Sequence, residues 1–426
     1  MKTVSFYTLG CRVNQYEVQA IKEIFESSGY NVVPFGKRAT VCVINTCAVT
    51  GESERKSRHV VRRAAKLADK VLVTGCYAKL IEKPETFPEN VSFCSGKVKK
   101  GDLINIVEGR DIEDYDWSAY EELSVGTINA LPFDSRYRAF VKIQDGCDGN
   151  CSYCIIPKLR GPSRSRKEKN IIDEVKRLVS AGVSEIIFTG IEVSDYGTKN
   201  LCQLIKLTEE IDGIRRIRLG SINPNTLTDE FIDTISQSKK FCRHLHLSVQ
   251  SGSGRILNLM RRPYSIEKLQ RRIDVLYERI PGICLSADII SSFPGETEEE
   301  FEQTLEFIRK NHFMHIHAFS YSPRPLTDAA SLTGQISESV KKERNARVIT
   351  VADECKAKVA EGFMGTMVDV LVEEIKNNAS YGHTGRFFEA RLEGNIINPG
   401  EYVNCIVSGY DGNERVLVCK ITEKGE

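Results

Sequence analysis

The sequence carries almost no net charge and no segment apolar enough to cross a membrane. Its 426 residues include 59 Lys and Arg against 58 Asp and Glu, which gives a formal net charge of +1. A chain so balanced has no strong overall attraction for nucleic acid, so contact with a polyanion must come from a local basic patch. Residues 1–10 lack the basic start and apolar core of a signal peptide. These absences predict a cytoplasmic protein without membrane contact.

Tandem repeats and low-complexity segments are also missing from the sequence. With 41% hydrophobic and 27% charged residues, the composition is typical of a folded protein, and a chain of this length divides into two or three domains. Cysteine, by contrast, is plentiful, with 14 residues. In a chain without a secretory signal, so many cysteines favour metal ligation over disulfides.

Three of the cysteines lie within eight residues and directly follow a predicted strand. Cys147, Cys151 and Cys154 have the spacing CxxxCxxC, with glycine and asparagine between them. Thiolates suit iron–sulfur clusters, and three of them leave one iron of a four-iron cluster open to a further ligand. A structural zinc site is the alternative, but zinc motifs pair two such halves and no second half follows closely. The spacing therefore predicts an iron–sulfur cluster with one open iron.

The first 110 residues alternate strand and helix patterns, as in a doubly wound parallel α/β domain. Cys11, Cys47 and Cys76 each follow one of the predicted strands within a few residues. The carboxyl ends of parallel strands converge on one crevice, so three thiols from three loops can meet at one point. Three unrelated loop cysteines are the alternative. Cys42 and Cys94 lie inside strand patterns and are interpreted as core residues.

From residue 137 to about residue 322, six strand patterns alternate with helical ones. This order predicts six βα units with right-handed crossovers, which form an open or partial barrel with its chemistry at the carboxyl ends of the strands. Polar and glycine-rich segments follow several of these strands: Thr189–Glu192, Gly220–Pro224, Ser248–Gly252, and Asp288 ahead of Phe293–Glu296. Their recurrence at successive strand ends favours a cofactor pocket over isolated turns.

Residues 111–130 are acidic and aperiodic and are interpreted as a linker. The last segment, about 365–426, alternates apolar and polar residues between glycine turns, which predicts a small antiparallel barrel. Small barrels of this type often bind RNA. Arg386, Phe387, Phe388 and Arg391 offer cations beside aromatic surfaces on which bases stack.

Two basic runs are further candidates for contact with a polyanion. Residues 51–70 carry seven Lys or Arg on a predicted helix, and five of them lie largely on one side: Arg55, Arg58, Arg62, Arg63 and Lys66. A solvated face and a phosphate-binding surface are equally good interpretations of this run. Residues 155–169 hold six Lys or Arg against one Glu, directly after the cysteine loop. We expect this second run to favour an anionic substrate.

The cysteine loop resembles the signature of the radical S-adenosylmethionine (SAM) enzymes, in which an aromatic residue, here Tyr153, precedes the last cysteine. Nearly the whole chain resembles one subgroup of them, the methylthiotransferases. The resemblance implies an amino-terminal doubly wound α/β domain that binds an auxiliary cluster (1–110), a linker (111–134), a partial (βα)6 radical SAM barrel (135–364) and a carboxyl-terminal TRAM β-barrel (365–426).

Three segments of the amino-terminal domain indicate the branch of the subgroup. Gly10–Glu17, Asn45–Thr50 and Thr74–Ala78 look most like the branch that acts on threonylcarbamoyladenosine in tRNA. The branch for isopentenyladenosine usually has Gln-Met-Asn after its first cysteine, and the branch for a ribosomal protein usually has Pro-Lys-Asn.

The resemblance also implies cofactors and contacts. It implies two [4Fe–4S] clusters, one on Cys147, Cys151 and Cys154 and the other on Cys11, Cys47 and Cys76. S-adenosyl-L-methionine would be contacted by Tyr153, Gly190, Glu192, Ser221 and Gln250. Glu192 departs from the residue usual in relatives, as does Asn223.

The implied reaction uses a deoxyadenosyl radical to take hydrogen from C2 of a modified adenine beside the anticodon of tRNA, and a methylthio group replaces that hydrogen. An aromatic C–H has no usable acidity, so a cofactor-borne radical must open it. An electron donor such as flavodoxin or ferredoxin and a sulfur source are the further partners. Two alternatives stay open: a methylthiotransferase for isopentenyladenosine in tRNA or for a ribosomal protein, and a non-catalytic iron–sulfur protein that binds RNA or senses redox state.

Overall fold

The computed structural model describes residues 2–81, 83–94, 102–111 and 137–424, and all but the first residue of the predicted linker at 111–134 lies outside these ranges. The amino-terminal elements are β1 (Thr3–Thr8), α1 (Arg12–Ser27), β2 (Asn31–Val32), β3 (Ala39–Thr46), α2 (Gly51–Ala65), β4 (Ala68–Gly75), β5 (Val91–Phe93) and α3 (Leu103–Glu108). The five strands form one parallel sheet in the order β2-β1-β3-β4-β5.

Helices cover both faces of this sheet, because successive side chains of a strand point to opposite sides. Val41 and Val43 of β3 pack in one core with Ile21 of α1. Cys42, between them, packs in a second core with Val61 of α2. The doubly wound arrangement is therefore confirmed, and Cys42 is a core residue.

The central region supplies most of the chain's parallel strands. Its elements are β6 (Arg138–Lys142), β7 (Gln144–Asp145), α4 (Ile156–Arg160), β8 (Arg164–Ser165), α5 (Glu168–Ser180), β9 (Glu185–Thr189), α6 (Thr198–Glu209), β10 (Arg216–Leu219), α7 (Asp229–Gln237), β11 (His244–Gln250), α8 (Gly254–Leu259), α9 (Ile266–Arg279), β12 (Cys284–Ser291), α10 (Glu298–Lys310), β13 (His315–Ser320) and α11 (Glu338–Glu361). Sheets β6-β9-β10 and β11-β12-β13 are both parallel. Two isolated parallel bridges join the first of these sheets to the β11 segment: Ile217 of β10 pairs with Phe241, just before β11, and Ile222, just after β10, pairs with Leu247 of β11. The six strands thus follow one another in the order predicted for a partial barrel.

The carboxyl-terminal strands close into a barrel. They are β14 (Met367–Lys376), β15 (Ala379–Thr384), β16 (Glu389–Glu393), β17 (Tyr402–Asp411) and β18 (Val416–Lys424), in the order β14-β15-β16-β18-β17. The prediction of a wholly antiparallel barrel is wrong at one seam, because β16 pairs with β18 in parallel. A closed ring with an odd number of strands cannot alternate direction at every pairing, so one parallel seam is unavoidable.

This small barrel packs against the amino ends of the central strands. Glu185, the first residue of β9, is fully buried and pairs with Arg138, Arg216 and Arg218. Two of these arginines continue into the small barrel. Arg216 pairs with Asp369 at 2.5 Å, and Arg218 donates to backbone carbonyls of the β15–β16 turn. Within the described ranges, every helix is too short or too polar to span a bilayer.

Candidate active site

Cys11, Cys47 and Cys76 come together at the carboxyl edge of the amino-terminal sheet. They follow β1, β3 and β4, and all three line one cavity. Gly10, with φ of +100°, permits this close approach, because a Cβ there would lie 2.8 Å from the Cβ of Cys47. Cys47 and Cys76 are buried, whereas Cys11 is exposed. The structure thus brings the three thiols together, as the strand-end argument predicts.

A buried network of charges lies beside these three thiols. Arg160 donates hydrogen bonds to Asn14 at 2.7 Å, to Asp145 at 2.9 Å and to Glu17 at 3.0 Å. Lys142 and Arg164 are also buried near these carboxylates. Three cations therefore face two carboxylates. Burial raises the pKa of the Cys76 thiol, and the neighbouring Arg160 opposes that rise. The excess positive charge suits a group held by thiolates.

The basic run at 155–169, which is expected to favour an anionic substrate, has its three arginines buried and paired with acids. Arg160 and Arg164 belong to the buried network, and Arg166 donates to Glu174 at 2.8 Å. Burying a cation is costly unless it is paired, so these arginines are held by acids of neighbouring elements. The pairs with Glu17 and Glu174 fix the loop against α1 and α5. The lysines of this run are exposed: Lys158, Lys167 and Lys169.

The CxxxCxxC loop is fixed at its base by the β7–β8 pair, whose strands flank it in sequence. Inside the loop, the amide of Gly149 donates to the Sγ of Cys147 at 3.3 Å. Arg262 donates from Nη1 to the Sγ of Cys151, also at 3.3 Å. Burial raises the pKa of Cys147 to about 12 and that of Cys154 to about 11. As free thiols these residues are protonated at neutral pH, and metal binding would displace their protons.

Both cysteine sets offer the donors that an iron–sulfur cluster takes. Each set provides three cysteine thiols, and thiolates are the soft ligands that suit such a cluster. An arginine lies beside each set, because Arg160 acts on Cys76 and Arg262 donates to Cys151. In the described part of the chain, no three Cys, His, Asp or Glu side chains are placed to share one metal ion. The donor chemistry of both sets therefore fits a cluster.

The cavity beside Cys11, Cys47 and Cys76 measures about 1060 Å³ and extends to the carboxyl ends of the central strands. Gly190 and Ser221, two of the five predicted SAM contacts, line it. Ile156, two residues after Cys154, lines it as well. Cys76 is among the charges that act on Cys154, so the two cysteine sets are near each other, although Cys147, Cys151 and Cys154 are not among the residues that line the cavity.

The other three predicted SAM contacts lie outside the cavity lining. Tyr153 packs against the small core formed by residues such as Met260 and Phe293. Glu192 turns back to accept from the amide of Ser194 at 3.3 Å, and burial raises its pKa. Gln250 is buried at the end of β11 with φ of +75°. These three positions stay predictions.

Sequence reasoning missed several polar residues of the cavity wall and the cysteine loop. His246 contacts Asp288 at 3.1 Å, and the Ser221 hydroxyl lies 3.4 Å from the other oxygen of that carboxylate. The ring of His317 meets that of His246 edge to face, with centroids 4.9 Å apart. A signal existed: the repeated His-x-His pattern in β11 and β13 puts polar residues on one strand face. No sequence pattern indicated that Arg262 contacts the cysteine loop.

The predicted RNA-stacking residues have other roles in the fold. Phe388 is fully buried in the core of the carboxyl-terminal barrel, so its prediction as a stacking surface is wrong. Phe387 points away from that core and stacks on His244, with ring centroids 5.0 Å apart. Arg386 covers the ring of Phe363, and Arg391 pairs with Glu414 at 2.8 Å. The two arginines stay candidates for RNA contact.

The basic run on α2 forms a largely solvated face. Arg55, Arg62, Arg63 and Lys66 are exposed, whereas Arg58 is partly buried and pairs with Glu54. The first turn of the same helix lines the cavity through Glu52, Ser53 and Lys56. The basic face therefore begins at the rim of the cavity.

Comparison with known proteins matches the amino-terminal and central regions to two different families. Residues 141–308 match the Radical SAM superfamily, and residues 3–92 match a family described as uncharacterized protein family UPF0004. The radical SAM methyltransferase TsrM from Kitasatospora setae has a similar fold, with a TM-score of 0.56 at 15% identity, over 78% of this chain and 77% of that one. The parallel strands, the CxxxCxxC loop and the superfamily match together define a radical SAM protein.

Relatives of known activity refine this class. Threonylcarbamoyladenosine tRNA methylthiotransferase MtaB from Bacillus subtilis is 36% identical over 450 residues, covering 99% of each chain. The Thermotoga maritima protein of the same name is 33% identical, over 99% of this chain and 97% of its own. A tRNA-2-methylthio-N(6)-dimethylallyladenosine synthase from Aquifex aeolicus is 34% identical, over 88% and 89%. The chain belongs to the radical SAM tRNA methylthiotransferase family. Membership implies SAM and a [4Fe–4S] cluster.

Proposed function

We propose that the protein methylthiolates C2 of N6-threonylcarbamoyladenosine beside the anticodon of tRNA and forms 2-methylthio-N6-threonylcarbamoyladenosine. The observation that carries this proposal is similarity along the whole chain, 99% of both sequences, to a relative named for that substrate. The relative named for dimethylallyladenosine is nearly as similar but matches over a smaller share of both chains. The Arg-Val-Asn that follows Cys11 supports the same choice.

Six cysteines would hold two [4Fe–4S] clusters. Cys147, Cys151 and Cys154 form the set expected in every radical SAM protein, and Cys11, Cys47 and Cys76 would hold the auxiliary cluster. When bound, the clusters and SAM supply one-electron chemistry and sulfur for a carbon that acid–base catalysis cannot open. Hydrogen bonds to cluster sulfurs tune their redox potential. Arg262 beside Cys151 and Arg160 beside Cys76 are placed for this role.

The cavity has the size and walls for a nucleotide and SAM together. Its volume of about 1060 Å³ is at the upper end of ordinary ligand sites. One wall carries the thiols of the amino-terminal domain, and the other carries Gly190 and Ser221 of the central strands. Two groups that must react with one base would thus face the same space, which supplies the proximity that the reaction needs. The part of the cavity that takes SAM would be supported from outside its lining by Tyr153, Glu192 and Gln250.

The tRNA would approach over the basic face of α2 and the carboxyl-terminal barrel. The α2 face starts at the cavity rim, and its exposed arginines can contact phosphates as the modified base enters. We assign the carboxyl-terminal barrel to the TRAM type, with domains at 1–110, 135–364 and 365–426. An electron donor such as flavodoxin or ferredoxin and a source of sulfur complete the system, which we place in the cytoplasm with its tRNA.

A reaction with two matched RNAs tests the proposal. Reconstituted protein, SAM, reductant and sulfide are mixed with an anticodon stem-loop that carries either threonylcarbamoyladenosine or isopentenyladenosine, and the nucleosides are analysed by mass spectrometry. We expect the methylthio product from the first RNA. A product from the second RNA alone would show that the substrate is wrong. Absence of deoxyadenosine in both reactions would contradict the enzyme itself and favour the non-catalytic alternative.

A further inference from the structure

Arg12 is a cation of the cavity whose charge is not matched by a nearby carboxylate. It follows Cys11 at the start of α1 and lines the cavity. Its guanidinium lies 5.7 Å from the ring centroid of Phe140 and 6.0 Å from that of Phe387. In the part of the chain that the structure describes, it makes no ion pair within 4.0 Å. The two rings fix the guanidinium without using its hydrogen-bond donors.

The surrounding charges leave Arg12 available to an anion. Arg138 and Arg218 repel it, and Asp288 and Glu185 attract it. Glu185 is already shared by three other arginines, as the packing of the carboxyl-terminal barrel shows. Asp288 is engaged by His246 and Ser221. A ligand that brings a negative charge would therefore relieve repulsion at this position.

The remaining cations in the cavity wall have partners. Lys56 pairs with Glu52 at 2.8 Å, Lys341 pairs with Glu338 at 2.7 Å, and Arg160 belongs to the buried network. Arg12 is thus the cation of this wall that a substrate carboxylate would meet without breaking an existing pair. A planar guanidinium is also the side chain that matches a carboxylate in two parallel hydrogen bonds.

We propose that Arg12 binds the carboxylate of the threonylcarbamoyl group and thereby selects this nucleoside over an adenosine with an apolar N6 substituent. The inference rests on the proposed function. Ring nitrogen N1 of adenine lies between C2 and C6, and C6 carries N6, so a carboxylate carried on N6 reaches the same edge of the base as the reacting C–H. Arg12 follows directly after Cys11, one of the proposed auxiliary-cluster ligands, so it lies where that edge would enter.

The test is a binding cycle with two RNAs and three proteins. The RNAs are anticodon stem-loops with threonylcarbamoyladenosine or its methyl ester, which keeps the shape and removes the charge. The proteins are the wild type, Arg12→Gln, and Lys341→Gln as a control cation of the same cavity. Affinity is measured by fluorescence anisotropy without SAM. We expect esterification to weaken binding to the wild type and to Lys341→Gln by roughly 10- to 100-fold, the value of a charge-assisted contact. Arg12→Gln should bind both RNAs equally.

Two results would overturn the assignment: wild type that binds acid and ester equally, or Arg12→Gln that retains the wild-type preference. The first does not depend on how a variant folds. Arg12→Lys should keep part of the preference, because a lysine keeps the charge but not the paired geometry. Loss of SAM cleavage without RNA in Arg12→Gln would place the SAM carboxylate at Arg12 instead and would also overturn the assignment. Failure of the proposed function would be distinguishable from these results, because the wild type would then form no methylthio product from the RNA that carries threonylcarbamoyladenosine.

Discussion

Replacing Cys11, Cys47 and Cys76 together by Ala should remove one cluster and leave the other. Two four-iron cubes give about eight irons per chain, and the variant should retain about four. SAM cleavage to deoxyadenosine should continue, since it depends on the other set, whereas methylthiolation should stop. Two of the three side chains are buried, so the loss of packing should cost about 2 kcal/mol, roughly 1 for each buried sulfur. Iron and sulfide analysis of anaerobically reconstituted protein measures the result.

A matched variant separates cluster loss from destabilisation. Cys42, Cys94 and Cys202 are all buried and lie outside both sets. Replacing these three by Ala should cost about 3 kcal/mol, at least as much as the test variant. It should nevertheless retain all of the iron. The two-cluster reasoning is refuted if both variants lose the same amount of iron, or if the first variant loses none.

The remaining predictions concern buried charge. Arg160→Met should lower the free energy of unfolding by about 3 kcal/mol, because Glu17 and Asp145 lose the closer of the two cations that they share, and Lys142 remains. Arg38→Met, which removes the exposed pair of Arg38 and Asp69, should change it by less than about 0.5 kcal/mol in the same denaturation experiment. Burial raises the pKa of Glu296 from 4.5 to about 7, so the folded state holds a proton that the unfolded state has released. Stability from this group should be fully present at low pH and fall by roughly 3 kcal/mol as pH rises through that interval. Denaturation at several pH values should show a flatter profile for Glu296→Gln, and an unchanged slope would contradict the assignment.

The local sequence pattern was sufficient to predict the helices and strands and the positions of the cysteines at the strand ends. The helical periodicity of residues 14–27 agrees with α1 at Arg12–Ser27, and the strands before Cys47 and Cys76 are where their apolar runs indicate. Parallel strands bring their carboxyl ends to one edge, so a residue that follows a strand is located by topology alone. That is why thiols far apart in sequence could be predicted to meet.

Charge pairing could not be read from local pattern. The basic run at 155–169 is expected from sequence to favour an anionic substrate, because the acids that pair with its arginines lie in other segments of the chain. Glu17, the partner of Arg160, is 143 residues away, and only the docking of α1 on the cysteine loop brings the two together. A run of cations shows its charge in sequence but not its partners.

Adjacent aromatic residues illustrate a second limit. Phe387 and Phe388 follow each other in the β15–β16 turn, yet one fills the core of its own barrel and the other stacks on His244 of the central region. The backbone of Phe387 has φ of +65°, which turns the two side chains apart. No periodicity of two or 3.6 residues marks such a change of direction. The partner of Phe387 depends on how two domains pack.

The position of Phe387 has a consequence for experiments that shorten the chain. Its ring lies against Arg12, which lines the cavity, and stacks on His244 at the amino end of β11, so the carboxyl-terminal barrel lies directly behind one residue of the cavity wall. Deleting that barrel would expose Arg12 to solvent from that side. Water there would hydrate the guanidinium and loosen the aromatic contacts that hold it. Loss of activity in a truncated protein would therefore not by itself show that the barrel binds RNA.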